Sequence, residues 1–191
     1  MFNKATGGTL LTFYVKLGTF SSIHTLRKAF EAAGFNAGAG PRSIETDGQI
    51  VDTVFDTITP SKFRYGVHLC VITPSQLGFL RVADHALVCR EAYRQLKLRL
   101  CTSEVVPQLL LQYPNSVPQR SFNVVTKPVK LANGKNAVYV ISAASEGTWL
   151  GLLSLDKVCY EPDCRLAFVS HFVLEFPGVS FGLFWPKSKL P

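Results

Sequence analysis

The chain has 191 residues, 47% of them apolar and only 17% charged, which is enough for one sizeable core and excludes disorder driven by high charge. A net charge of +7 and a pI near 9.3 favour acidic partners such as nucleic acid or an anionic surface. No run reaches the roughly 18 uninterrupted apolar residues that a membrane-spanning helix needs, because Leu166 to Trp185 is broken by His171, Glu175 and Pro177-Gly178.

Basic residues are spread along the chain, without the Arg-rich tail of a protein that packages RNA on a basic arm. Five widely spaced cysteines and an opening Met-Phe-Asn-Lys without a signal-peptide pattern predict a reducing, intracellular (cytoplasmic) setting.

Taken in order, Thr9 to Leu17 reads as a strand from its β-branched and aromatic residues. Ser21 or Ser22 then caps a helix through Ile23, Leu26, Arg27, Phe30 and Ala33, with Gly34 at its left-handed end. The glycine-rich Asn36 to Pro41, with Arg42, follows a helix and does not join a strand to a helix start, so it is a connection and not a phosphate cradle. Gln49 to Thr59 is expected to form another strand, and Tyr65 to Ile72 a buried one closed by Pro74 to Gly78.

Val82, Ala86, Cys89, Tyr93, Leu96 and Leu100 recur at helical spacing, which predicts a long helix with one continuous apolar stripe. That orientation would set Arg90, Arg94 and Lys97 along one flank as a cationic ridge, extended by Arg81 and Arg99, and Glu91 near the opposite side. Ser103 is expected to cap a short helix over 104–112, and Pro114 to Pro118 to form a linker.

From Ser121 onward the signals are β. Asn133-Gly134 suits a tight hairpin joining about 122–132 to 135–143, which would carry Lys127, Lys130 and Lys135 near one end. Further turns are expected at Glu161-Pro162-Asp163 and Pro177-Gly178. Within one strand, Leu166, Phe168, Phe172, Leu174 and Phe176 share a parity opposite to Arg165, Val169, His171 and Glu175. The class is therefore α+β, with two or three helices in a mixed N-terminal half and a C-terminal antiparallel meander of about five strands. We expect a single domain over 1–191, subdividing if at all near 114–120 into 1–113 and 121–191.

No nucleophile elbow, paired carboxylates or cofactor motif is present, so neither a catalytic set nor a cofactor is expected. Three readings follow. In the leading one, a non-catalytic nucleic-acid-binding or assembly protein, of the kind viruses and mobile elements encode, uses Arg90, Arg94 and Lys97 with Lys127, Lys130 and Lys135 to meet phosphates, its expected partners being a nucleic acid of either type or copies of itself in a homo-oligomer or larger assembly. In the second, His68 and His171, each mid-strand, serve as acid and base on a phosphodiester. That arrangement resembles the two-histidine phosphoesterases, whose signature repeats His, an apolar residue and a hydroxyl residue; here Cys70 and Val173 stand at the hydroxyl positions. In the third, Cys159 and Cys164 bracket a turn and grip a structural zinc ion. Tyr14, Tyr65, Tyr93 and Tyr139 are candidate base-stackers, with Tyr93 assigned to the buried stripe.

Overall fold

The apolar density of Tyr65–Ile72 does produce a strand, and that strand is the centre of the molecule. The computed structural model describes residues 11–37, 54–116, 122–131, 134–144, 147–176 and 179–182; for 122, 142–144, 172–176 and 179–182 the backbone alone is described. The fold is α+β, with its helices before residue 113 and most of its strands after 121. The elements are β1 (Thr12–Leu17), α1 (Ile23–Ala32), β2 (Asn36–Ala37), β3 (Tyr65–Ile72), β4 (Ala83–Asp84), α2 (His85–Leu96), α3 (Val105–Gln112), β5 (Phe122–Val124), β6 (Val129–Lys130), β7 (Asn136–Ala144), β8 (Gly147–Ser154), β9 (Cys159–Tyr160), β10 (Arg165–Phe176) and β11 (Val179–Gly182). No helix among the described residues is long and apolar enough to cross a membrane.

One sheet runs β1-β3-β10-β11, antiparallel throughout, with β5 added parallel to the start of β10. A second runs β2-β8-β7-β6, and β4 pairs with β9. Strand β3 is buried on both faces because its side chains alternate between two cores. Val67, Leu69 and Val71 join Phe13, Val15, Leu17 and Val169 in the larger core, against α1, α3 and the second sheet. Cys70 and Ile72 join Leu166 and Phe168 in the smaller core, which α2 covers with Val88 and Ala92.

Helix α1 forms as its sequence predicts. Ser22 accepts from the Thr25 N–H at 3.2 Å, Thr25 answers in a capping box, and Gly34 ends the helix at φ +81°. Leu26 and Phe30 are fully buried, worth roughly 1.5–3 kcal/mol each. Helix α3 begins at Val105 without a side-chain cap, because Ser103 instead accepts from the Thr59 N–H at 3.2 Å.

The polar side of α3 has another use. Glu104, Gln108 and Gln112, spaced i, i+4, i+8, lie along the outer edge of β1 and the turn after it: Gln112 and the following Tyr113 take up β1 backbone, and Glu104 and Gln108 hold Gly18 and Thr19 just beyond it. Glu104 accepts from Gly18 N–H at 2.9 Å, while Gln112 accepts from Lys16 N–H at 3.0 Å and donates to Lys16 O at 2.8 Å. Tyr113 donates to Tyr14 O at 2.8 Å, and Gln108 donates to Thr19 Oγ1 at 2.7 Å. An exposed sheet edge is thereby occupied by a helix's side chains. Glu104 is itself fully buried and also accepts from Ser61 N–H at 2.7 Å. At Gly18 (φ +67°) an added Cβ would lie 2.1 Å from the Phe63 carbonyl oxygen, so glycine is required there.

Four expectations need correcting. Residues 54–57 form a 3-10 turn and not the end of a strand, because Thr57 Oγ1 donates to Val54 O at 2.7 Å and Phe55 turns into the core; 49–53 lie outside the described residues. The hairpin's first arm is only β6, since β5 leaves for the other sheet beside β10. The turn at Glu161 to Asp163 does not join a hairpin, because β9 pairs with β4. The parity of β10 breaks at Ser170: Val169 lies opposite Leu69 and His171 opposite His68, so Ser170 is the extra residue of a β-bulge. The turn at 177–178 lies outside the described residues, but the strands it joins pair as expected, Phe176 opposite Val179. The same holds for 38–53, including Arg42, and for 117–118 of the linker.

Candidate nucleic-acid interface and a histidine pair

Helix α2 is shorter than its apolar periodicity predicts and is turned by about one residue. Asp84 caps it, accepting from the Leu87 N–H at 2.7 Å, and Lys97 ends it in the left-handed region at φ 57°. Its buried side is His85, Val88 and Ala92, with Cys89 and Leu96 half-buried. Val82 and Tyr93 are 50% and 57% exposed, and Ala86 is exposed, so the predicted stripe is largely a surface face. Val82, Leu98 and Leu100 belong to flanking chain and not to the helix. His85, an incidental helix residue on sequence grounds, anchors the buried side through a 2.9 Å hydrogen bond between Nδ1 and Tyr160 Oη.

The rotation leaves Arg90, Arg94 and Lys97 all exposed on one edge, with the Tyr93 ring among them. Lys97 Nζ stands 5.5 Å from the Tyr93 ring centroid. Glu91 is not on the opposite side as expected but within the ridge. It pairs with Arg94 at 2.6 Å and Arg90 at 3.8 Å, and accepts from Gln95 at 3.1 Å. The Arg94 and Gln95 hydrogen bonds hold its carboxyl below the usual range, and the same partner raises Arg94. The ridge thus carries three cations and one committed anion. Arg81 and Arg99 are exposed as well, and Arg99 is tied by backbone hydrogen bonds of 2.9 Å in both directions to Val169.

The lysines of the second patch are exposed but less concentrated. Lys127 precedes β6, Lys130 ends it, and Lys135 follows the turn. With Asn136, Ser154 and Asp156, Lys135 lines an open hollow of about 460 Å³. Asp156 is held below its ordinary value first by the Ser154 hydrogen bond, with Lys157 and Lys135 adding to the effect. Tyr139 is withdrawn from any stacking role: it is buried and bonded to Thr57.

His68 and His171 meet across β3 and β10, on one face of the sheet. Their rings stack with centroids 4.0 Å apart and planes 16° from parallel, and Tyr14 of β1 packs on the other side of His68 at 4.8 Å. Ser170 Oγ donates to His68 O at 3.0 Å and stands 3.1 Å from His171 Nδ1. With its proton on that carbonyl, the hydroxyl accepts from the ring, which places the His171 proton on Nδ1. Rings in face-to-face contact hold nothing between them and present their edges outward. The His68 imidazole is pushed toward the neutral form, first by burial and then by His171.

Cys159 is exposed on β9, and Cys164 is half-buried and accepts from Asn123 Nδ2 at 3.2 Å. No group of three or more His, Cys, Asp or Glu able to hold a metal ion occurs among the described residues. Cys70 and Cys101 are core residues, and burial pushes the Cys89 thiol up to about 12, so neither core supplies a thiolate. The bulge that creates the histidine pair has no local sequence signal, because it depends on the register of the partner strand. No family model, curated protein or solved structure matches the chain.

Proposed function

We propose that the protein is a non-catalytic nucleic-acid-binding protein whose contact surface is the exposed edge of α2. Tyr93 is the observation that carries this reading. A large ring, 57% exposed, lies among Arg90, Arg94 and Lys97 on one helix edge. Phosphates need cations along a face, and unpaired bases need an aromatic surface to stack on; the edge offers both. The overall charge of +7 works in the same direction by drawing a polyanion toward the surface. Lys127, Lys130 and Lys135 form a secondary contact on this reading, weakened at Lys135 by Asp156.

The test is titration of a labelled single-stranded oligonucleotide by fluorescence anisotropy over a range of salt. Replacing Arg90, Arg94 and Lys97 by Gln is expected to reduce the slope of log affinity against log salt by about 1.4, the value of two single-strand phosphate contacts, because Glu91 already occupies Arg94. Tyr93→Ala should weaken binding by about 1–3 kcal/mol with the salt slope unchanged. Unchanged affinity and slope in the triple variant would remove the reading.

A further inference from the structure

We propose that the row Lys16, Tyr14, His68, His171 and Ser170 is a second binding site, for a phosphate-type oxyanion. It goes beyond the α2 edge and does not depend on nucleic acid binding there.

The site originates at the bulge. An extra residue in β10 brings His171 opposite His68 on the face where Cys70 and Phe168 have just left the smaller core. Across β1 the same register sets Tyr14 opposite His68, and Lys16 opposite Gly66. Gly66 leaves no side chain beneath Tyr14: a Cβ there would lie 2.2 Å from the Tyr14 hydroxyl. Three rings therefore line up across three adjacent strands.

Their mode of packing selects the ligand. Stacked ring faces are not available to a base, which rules against a nucleobase platform. Ring edges carry the imidazole nitrogens, and His68 and His171 are half-buried while Ser170 and Lys16 are exposed. Nitrogens that become donors on protonation and an ammonium suit oxyanion oxygens, while Ser170, its own proton committed to His68 O, holds the His171 ring in place.

On the His68 face Lys16 comes from β1 and His171 from β10, and Glu175, of the same parity as His171, is an acidic residue further along β10, where the strand pairs with Ser180 of β11. The next chain segment is basic. From Lys97 it reaches Arg99, whose backbone is bonded to Val169, the residue before Ser170. Burial and the neighbouring His171 hold His68 toward its neutral form, and a bound oxyanion would relieve that resistance to protonation, so binding should tighten as pH falls.

Histidine ring resonances of the full chain, followed by NMR across a pH titration, test this directly. Inorganic phosphate is compared with chloride at equal ionic strength, with exposed His24 and buried His85 as internal references. The midpoints of His68 and His171 should rise by about half a pH unit in phosphate, meaning about threefold tighter binding to the protonated form. His24 should not move. A short oligothymidylate in place of phosphate identifies the source: a matching rise assigns the site to a nucleic-acid backbone, and its absence assigns it to a small phosphate ligand. The Arg90, Arg94 and Lys97 to Gln variant should keep the phosphate-induced rise even if it loses oligonucleotide binding. His171→Asn should abolish the rise at His68. Midpoints that are the same in phosphate and chloride, or that rise equally at His24, would overturn the proposal without any variant having to fold.

Discussion

Glu104 shows how much a single side chain can hold in this fold. Its carboxylate is fully buried, yet it is joined to Gly18 and Ser61 backbone N–H groups at 2.9 and 2.7 Å and to Gln108 at 3.3 Å, so the loop after β1, the loop before β3 and α3 meet on one residue. Removing it strands two partly buried donors, at about 1–3 kcal/mol each. Glu104→Ala is therefore expected to lower unfolding stability by about 3 kcal/mol, and Glu104→Gln, which keeps one acceptor oxygen, by about half as much. Urea unfolding checks this: the midpoint should fall with an unchanged slope. In the sequence Glu104 reads as an ordinary first-turn residue after Ser103, since nothing local reveals that Gly18 and Ser61 will face it.

The helices and strands themselves were legible to different degrees, and the reason is the range of the forces that define them. Tyr65–Ile72 and α1 could be read because their signals are local: β-branched residues and a closing Pro74 for one, Ser22 and Gly34 for the other. The orientation of α2 could not, because two of its three buried residues, Ala92 and His85, are small or polar, with partners such as Tyr160 that lie elsewhere in the chain. An apolar period running through Val82 and Leu100 pointed to the wrong face. The true orientation of α2 sets Tyr93 on the surface and Glu91 within the cationic ridge. Glu91 then limits how much of that ridge a polyanion can use. Glu91→Gln should free Arg94 and increase the salt slope of oligonucleotide binding by about 0.7, one further single-strand contact. An unchanged slope in the same anisotropy titration would place Arg94 outside the contact.

At the scale of the whole molecule, the two halves that composition suggests at residues 114–120 are interleaved. Strand β3 from the first half pairs over eight register positions with β10 from the second, Tyr65 opposite Leu174 through Ile72 opposite Leu166, and β2 pairs with β8. Residues 1–113 expressed alone would expose one whole edge of β3 and leave both cores without the residues that β7 and β10 supply. We expect that fragment to lack cooperative thermal unfolding and dispersed amide NMR spectra; a folded fragment would show that β3 needs no partner from the second half. The sheet's far edge has the opposite character. Because Gln112 and Tyr113 already occupy the backbone of β1 at Lys16 and Tyr14, a second copy could add a strand there only by first stripping α3 away. That margin of the sheet is closed to filament growth, so any self-assembly of this chain must be seeded from other surfaces.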